Sequence, residues 1–143
     1  MRAILALALG FACSGCAAIC GLDARGSVEI VADPFANDRS AIAVDVVAVR
    51  GEAMAAKLAE LSAGQYFVAR EQIRRDSSGR IAISGWEIAP GQSVGPESVS
   101  FECGVDAVFV FASYRTPGVH RMRLPDLDDV RILLGPVGFE VTQ

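Results

Sequence analysis

Ala41-Ile42-Ala43-Val44-Asp45-Val46-Val47-Ala48-Val49 is a run of β-branched and small apolar residues with one charge at its centre. Side chains on a strand alternate between two faces, so Ile42, Val44, Val46 and Ala48 share one side, and Ala43, Asp45, Val47 and Val49 the other. Both sides are largely apolar. That pattern predicts a central strand with its second face at least partly covered.

The same alternation recurs in Val105-Asp-Ala-Val-Phe-Val-Phe-Ala-Ser-Tyr114, the strongest strand of the chain, with Val108, Val110 and Ala112 on one face and Phe109, Phe111 and Ser113 on the other. Ser27 to Ala32 alternates and is stopped by Asp33-Pro34, and 33–40 is polar and turn-rich. Ile81 to Ile88 alternates around Gly85. Ser93 to Phe101 is a weak strand interrupted by Gly95-Pro96, and Val119 to Leu124, Val130 to Leu134 and Phe139 to Thr142 are short strands. After Gly51, Glu52 to Leu61 has helical composition, with Met54, Leu58 and Leu61 on one face. From Ser62 the chain reads either as a second short helix or as irregular structure anchored by Tyr66 and Phe67. Seven or eight short strands separated by turns, with one or two helices between the second and third, predict a mainly all-β fold, a β-sandwich with a helical insertion.

The N-terminus carries a different message. Met1-Arg2, the apolar run Ala3 to Ala12 and Cys13-Ser14-Gly15-Cys16-Ala17 have the make-up of a secretory signal peptide. The apolar run is shorter than the roughly 20 residues a bilayer span needs. The segment ending at Cys16 resembles the lipobox of bacterial lipoproteins, which implies acylation of Cys16. Cys13 is preceded by the bulky Phe11 and Cys20 by Ile19, so both suit the processing pocket less well. An ordinary cleaved signal peptide releasing a soluble protein is the alternative. Ala17, in place of an Asp, implies by the enteric sorting rule the outer membrane. The expected organisation is a signal peptide over 1–15, a lipidated tether over 16–26 and one β-sandwich domain over 27–143. With Cys13 removed and Cys16 lipidated, Cys20 and Cys103 form a candidate disulfide in an oxidising compartment, or remain two free thiols.

The chain has 13 basic and 17 acidic residues, net charge −4, and only one Lys, at position 57. Such a balance does not suit nucleic acid, where phosphate contacts dominate affinity. Catalytic groups are sparse. His120 is the only histidine, and it reads as a surface or interface residue. No metal-ligand spacing, nucleophile elbow or Gly-rich phosphate loop is present. Asp126-Leu127-Asp128-Asp129 could hold a hard cation but reads better as an exposed acidic turn. Trp86 reads as a core ring rather than a ligand platform. No enzymatic activity, metal or cofactor is expected.

The order of these features resembles the TssJ family, the outer-membrane lipoproteins of type VI secretion systems. Its elements here are Cys16, a first strand, the polar loop with Asn37, Asp38 and Arg39, the strand Ala41 to Val49, and a helical insertion carrying Phe67. Then come Glu87-Ile88-Ala89-Pro90-Gly91, matching Glu-x-x-Pro-Gly, and Ala112-Ser113-Tyr114-Arg115, matching Ala-x-Tyr-Arg. His120-Arg121 stands where the family usually has Trp-Arg, and its Tyr-Gln-Leu after the central strand is missing. The resemblance implies a transthyretin-like β-sandwich and a non-catalytic role at the periplasmic face of the outer membrane, with the acyl chains on Cys16 as the anchor. It implies a TssM-type inner-membrane partner, gripped through the loop of Asp33, Pro34, Phe35, Asn37, Asp38 and Arg39. Phe35 and Arg39 are the expected anchors, since interfaces depend on a few aromatic and Arg side chains. The competing reading is a periplasmic ligand- or carbohydrate-binding β-sandwich lipoprotein, which needs Trp86, Tyr66 or Tyr114 around one concave site.

Overall fold

The described residues form eight strands and two α-helices: β1 (Arg25–Ala32), β2 (Ile42–Val49), α1 (Glu52–Glu60), α2 (Ala63–Asp76), β3 (Ile81–Ile88), β4 (Ser93–Ser100), β5 (Ala107–Ala112), β6 (Arg121–Leu124), β7 (Val130–Leu134) and β8 (Phe139–Thr142). The structure is a computed structural model that describes residues 25–102 and 104–143. The expected signal peptide, the lipidation site Cys16 and the candidate Cys20–Cys103 disulfide lie outside the described residues. No helix among the described residues is long and apolar enough to cross a membrane.

The strands form two four-stranded sheets, ordered β4-β1-β7-β8 and β3-β2-β5-β6. All neighbours are antiparallel except β1 and β7. The two faces of β2 separate as the alternation predicts. Ile42, Val44, Val46 and Ala48 enter the core between the sheets, together with Val28 and Ile30 of β1, Val108 and Val110 of β5, and Ile132 and Leu134 of β7. Val47, Val49, Phe109 and Phe111 face the other way, onto Ala55, Leu58 and Tyr66 of the helices. The result is three layers, helices on sheet on sheet, and it explains why β2 and β5 are apolar on both sides.

Several boundaries differ from the sequence expectation. β1 begins at Arg25, so Arg25 and Gly26, assigned to the tether, are strand paired with Ser100 and Val99. Gly26 is packed so closely on the Leu127 backbone that a Cβ would overlap the Leu127 carbonyl. Gly95-Pro96 bulges rather than ends β4, at the register shift between Val28 and Ile30. β6 starts only at Arg121, because His120 has φ 42° and cannot continue an extended strand. α2 is a full helix: the Ser62 side chain accepts from the Gln65 N–H while the Gln65 side chain accepts from the Ser62 N–H, a reciprocal capping box.

Asp45 is the one charge of β2, 2% exposed, on the helix side of the sheet. Tyr66 donates its hydroxyl to Asp45 Oδ2 at 2.7 Å, and the Arg70 guanidinium grips both carboxylate oxygens through Nε and Nη2. Gly85 sits opposite Asp45 on β3, and a side chain there would collide with the carboxylate. The Tyr66 ring stacks on Phe111 with centroids 4.0 Å apart. Three groups from β2 and α2 thus satisfy one another in the second core, and no buried side-chain polar atom among the described residues lacks a partner.

Both tyrosines of the chain are held in their neutral form. Burial, then the Asp45 carboxylate, pushes the Tyr66 phenol far above its ordinary value. Burial pushes Tyr114 up to about 12. A folded pKa above the unfolded value of about 10 gives stability that is complete below pH 10 and is lost as pH rises beyond it. Raising the pH from 9 to 11.5 is therefore expected to lower the urea midpoint steadily. Phenolate absorbance near 295 nm should appear with loss of the circular dichroism signal, not before it. Titration of both phenols at pH 10 in the folded protein would contradict this.

Candidate functional site

The segment 33–41 joins the two sheets at one end of the sandwich, and its conformation is heavily determined. Asp33 N–H donates to the Leu134 carbonyl at 2.8 Å, and the Asp33 carbonyl accepts from Ala36 N–H at 2.9 Å and Gly91 N–H at 3.2 Å. Asp33 Oδ1 accepts from Phe35 N–H at 2.7 Å, a side-chain turn of the kind that makes Asp a turn initiator. Ala36–Arg39 then forms one tight turn, wound left-handed: φ is 49° at Asn37, 53° at Asp38 and 56° at Arg39. The left-handed region costs an L-residue roughly 1–2 kcal/mol, and Asn and Asp tolerate it best.

Asn37 holds this turn from inside. It is 2% exposed. Its Nδ2 donates to the Ala41 carbonyl at 3.2 Å, and its Oδ1 accepts the Arg115 backbone N–H at 2.7 Å. Arg115 Nη1 donates to Ser40 Oγ at 3.0 Å, so the segment after β5 is latched to the loop twice. Of the six expected contact residues, Asp33, Pro34, Phe35, Asp38 and Arg39 are exposed. Asn37 is not; its role is to position them.

Phe35 presents 55% of its surface to solvent, and the Arg39 guanidinium lies over its ring, 4.8 Å from the centroid. Such a cation–π pair favours a flat, amphipathic surface in which ring and charge are offered together. The spacing of these two residues was readable in the sequence. Their contact depends on the left-handed turn, which was not.

The neighbouring loop supports the same end. Tyr114 donates its hydroxyl to the Gly138 carbonyl at 2.7 Å, and His120 stacks on Tyr114 with ring centroids 4.7 Å apart. His120 Nε2 is 2.9 Å from the Thr116 carbonyl, which it meets as a donor. His120 is thus a half-buried clamp rather than a free surface group. In the acidic turn, Leu127 is fully buried; Asp126 Oδ1 accepts from Asp128 N–H and from Gln143 Nε2, and Asp129 Oδ1 from the Ser27 hydroxyl. No cluster of three metal-ligating side chains occurs among the described residues.

Trp86, Tyr66 and Tyr114, the rings on which a carbohydrate site would draw, do not converge. Tyr66 is fully buried under the helices. Trp86 is half-buried against the core between the sheets, its Nε1 donating to Glu97 Oε2 at 2.9 Å. Tyr114 is at the loop end. Neither the groove beside Pro34 nor the cavity beside Arg50 is lined by any of them.

No protein-family model and no curated protein sequence matches the chain. Solved structures do. Lip of Serratia marcescens, a membrane-bound component of the type VI secretion system, superposes with TM-score 0.61 at 16% identity, covering 83% of this chain and 97% of that one. The type VI lipoprotein TssJ1 of Pseudomonas aeruginosa gives 0.62 at 13% identity over 84% and 95%. A chain in the structure of the TssM C-terminal domain from EAEC gives 0.62 at 15% identity over 83% and 98%. At these identities the likeness concerns the fold, and the chain has the TssJ-like sandwich with its helical insertion.

Proposed function

We propose that this chain is the outer-membrane lipoprotein of a type VI secretion membrane complex. It is anchored by acyl chains on Cys16 and holds the periplasmic domain of a TssM-type inner-membrane protein, without catalysis of its own. The observation that carries the reading is the preformed 33–41 turn, which displays Phe35 and Arg39 at the end of the domain opposite the tether. Arg25 and Ala32 are the two ends of β1. At about 3.3 Å per residue, that strand sets the membrane-side end and the loop roughly 25 Å apart. The stretch 16–24 adds at most about 30 Å of reach. A loop already fixed in shape loses little conformational freedom on binding, which favours affinity.

The test is binding of the mature domain to the C-terminal periplasmic domain of the TssM-type protein from the same cell, followed by calorimetry. Phe35→Asp and Arg39→Glu are expected to weaken binding at least about thirtyfold, in the range of interface hot spots, without moving the unfolding midpoint. Asn37→Ala should weaken binding and also destabilise the domain, by about 1–3 kcal/mol, because it removes the partner of the half-buried Arg115 N–H and of the Ala41 carbonyl. In cells, Cys16→Ser should move the protein from the membrane fraction to the soluble periplasm. Wild-type affinity in Phe35→Asp, or a membrane-bound Cys16→Ser protein supporting full secretion, would contradict the proposal.

A further inference from the structure

The 33–41 loop is continuous with a groove on the outer face of the β4-β1-β7-β8 sheet. Both helices cover the other sheet, so among the described residues no further layer lies over this face. Near the loop end, Val31, Leu133 and Glu140 form one row across β1, β7 and β8, since Val31 pairs with Leu133 and Leu133 with Glu140. The next row is closed by the Arg131–Glu29 ion pair, 3.1 Å long. Pro34 forms one wall and the 135–138 turn the other, enclosing a cavity of about 720 Å³.

The groove has a clear chemical character. Val31 and Leu133 make an apolar floor, and Val137, 68% exposed, an apolar rim. Two carboxylates, Asp33 and Glu140, line it, and no Lys or Arg among the described residues does. Asp33 spends one oxygen on Phe35 N–H, and Glu140 is exposed. Phe35, Val119 and Val137, three of the five large apolar side chains exposed among the described residues, lie in loops at this one end.

We propose that the groove seats an extended segment of the same inner-membrane partner. An aliphatic or aromatic side chain of that segment enters between Pro34 and Val137, and an adjacent Lys or Arg meets Glu140 and Asp33. The inference rests on the loop reading above and extends it from a loop contact to a surface running round onto the sheet face. Charge complementarity selects the occupant: an apolar residue flanked by a cation fits a floor of Val and Leu edged by carboxylates. Continuity selects it too, because Asp33 and Pro34 belong to both the loop and the groove.

The mature domain is titrated with the TssM-type periplasmic domain, comparing Val137→Asp and Glu140→Arg with Phe35→Asp. Val137 and Glu140 are exposed, so both variants should keep the wild-type unfolding midpoint. Val137→Asp is expected to weaken binding about tenfold or more. Glu140→Arg is expected to weaken it about fivefold at low salt and less at 0.5 M salt, as screening removes the charge contact. Wild-type affinity in both variants, with binding lost in Phe35→Asp, would leave the loop reading standing and overturn the groove. No binding by the wild-type domain would overturn both. If Val137→Asp instead converts a dimer of the domain to monomer in sedimentation, with partner affinity unchanged, the occupant is a second copy and the proposal is wrong.

Discussion

Arg70→Met is expected to destabilise the domain by about 3 kcal/mol. Removing one partner of a buried ion pair leaves the other charge uncompensated, at a cost of about 3–5 kcal/mol. Arg70 is about one-third open to water, with 35% of its side chain exposed against 3% for Asp45, which sets the effect at the lower end. Asp45 would retain only the Tyr66 hydroxyl. The hydrogen bond to Asp45 raises the Arg70 pKa further above its already high value, so the guanidinium stays charged at every pH at which the domain is folded. The triple variant Asp45→Val, Tyr66→Phe, Arg70→Met should recover much of the loss, because replacing a whole buried polar set by apolar groups is often neutral or better. Urea unfolding followed by far-UV circular dichroism reads both. If Arg70→Met shifts stability by less than about 0.5 kcal/mol, the triad is not what fastens α2 to the sheet.

Gly26→Ala is expected to cost about 2–4 kcal/mol, through a mechanism visible only in three dimensions. The added methyl would overlap the Leu127 carbonyl and press on its Cβ. Leu127 cannot yield freely, since its side chain is fully buried and the flanking residues are tied, Asp126 by its bonds to Asp128 and Gln143 and Asp129 by its bond to Ser27. Overpacking of this kind typically costs about 1–3 kcal/mol and more where backbone must move. Gly64→Ala supplies the opposite sign. Gly64 lies in the first turn of α2, with only Ser62 Oγ 4.0 Å from the built methyl. Alanine should therefore hold or slightly raise stability there, by up to about 1 kcal/mol. Equal stability of Gly26→Ala and wild type in thermal unfolding would show that the 125–129 turn is free to shift.

The sequence was most legible where one physical rule acts alone. Period-2 alternation in β2 and β5 gave both faces of the central sheet correctly, because burial on both sides leaves no other pattern. It was least legible where residues far apart meet. Asp45 is a lone charge in an otherwise apolar strand, and its partners lie 21 and 25 residues away on a helix. That helix was hard to read because only Ala63 and Tyr66 of α2 are buried, so no apolar stripe marks it. The signal that would have decided it is the Ser62-x-x-Gln65 capping box. Gly26 read as tether for the same reason: nothing local announces a close approach by Leu127. In the 33–41 loop, composition identified an exposed polar turn and its Phe and Arg. Asn-Asp pairs permit a left-handed turn without requiring it, so the burial of Asn37 and its grip on Arg115 became apparent only with the fold.

The place of β1 in its sheet has a mechanical consequence. β1 is an inner strand, laddered to β4 on one side and β7 on the other, and it runs directly from Arg25 to the loop at Asp33. A pull between those two points acts along the strand axis. Both ladders are then loaded in shear, so their bonds must fail together, whereas a strand peeled from an edge loses them one at a time. Forced unfolding is governed by the rate of that collective step. Under the proposed function, tension between the lipid anchor and the loop-bound partner would pass through the strand's strongest direction.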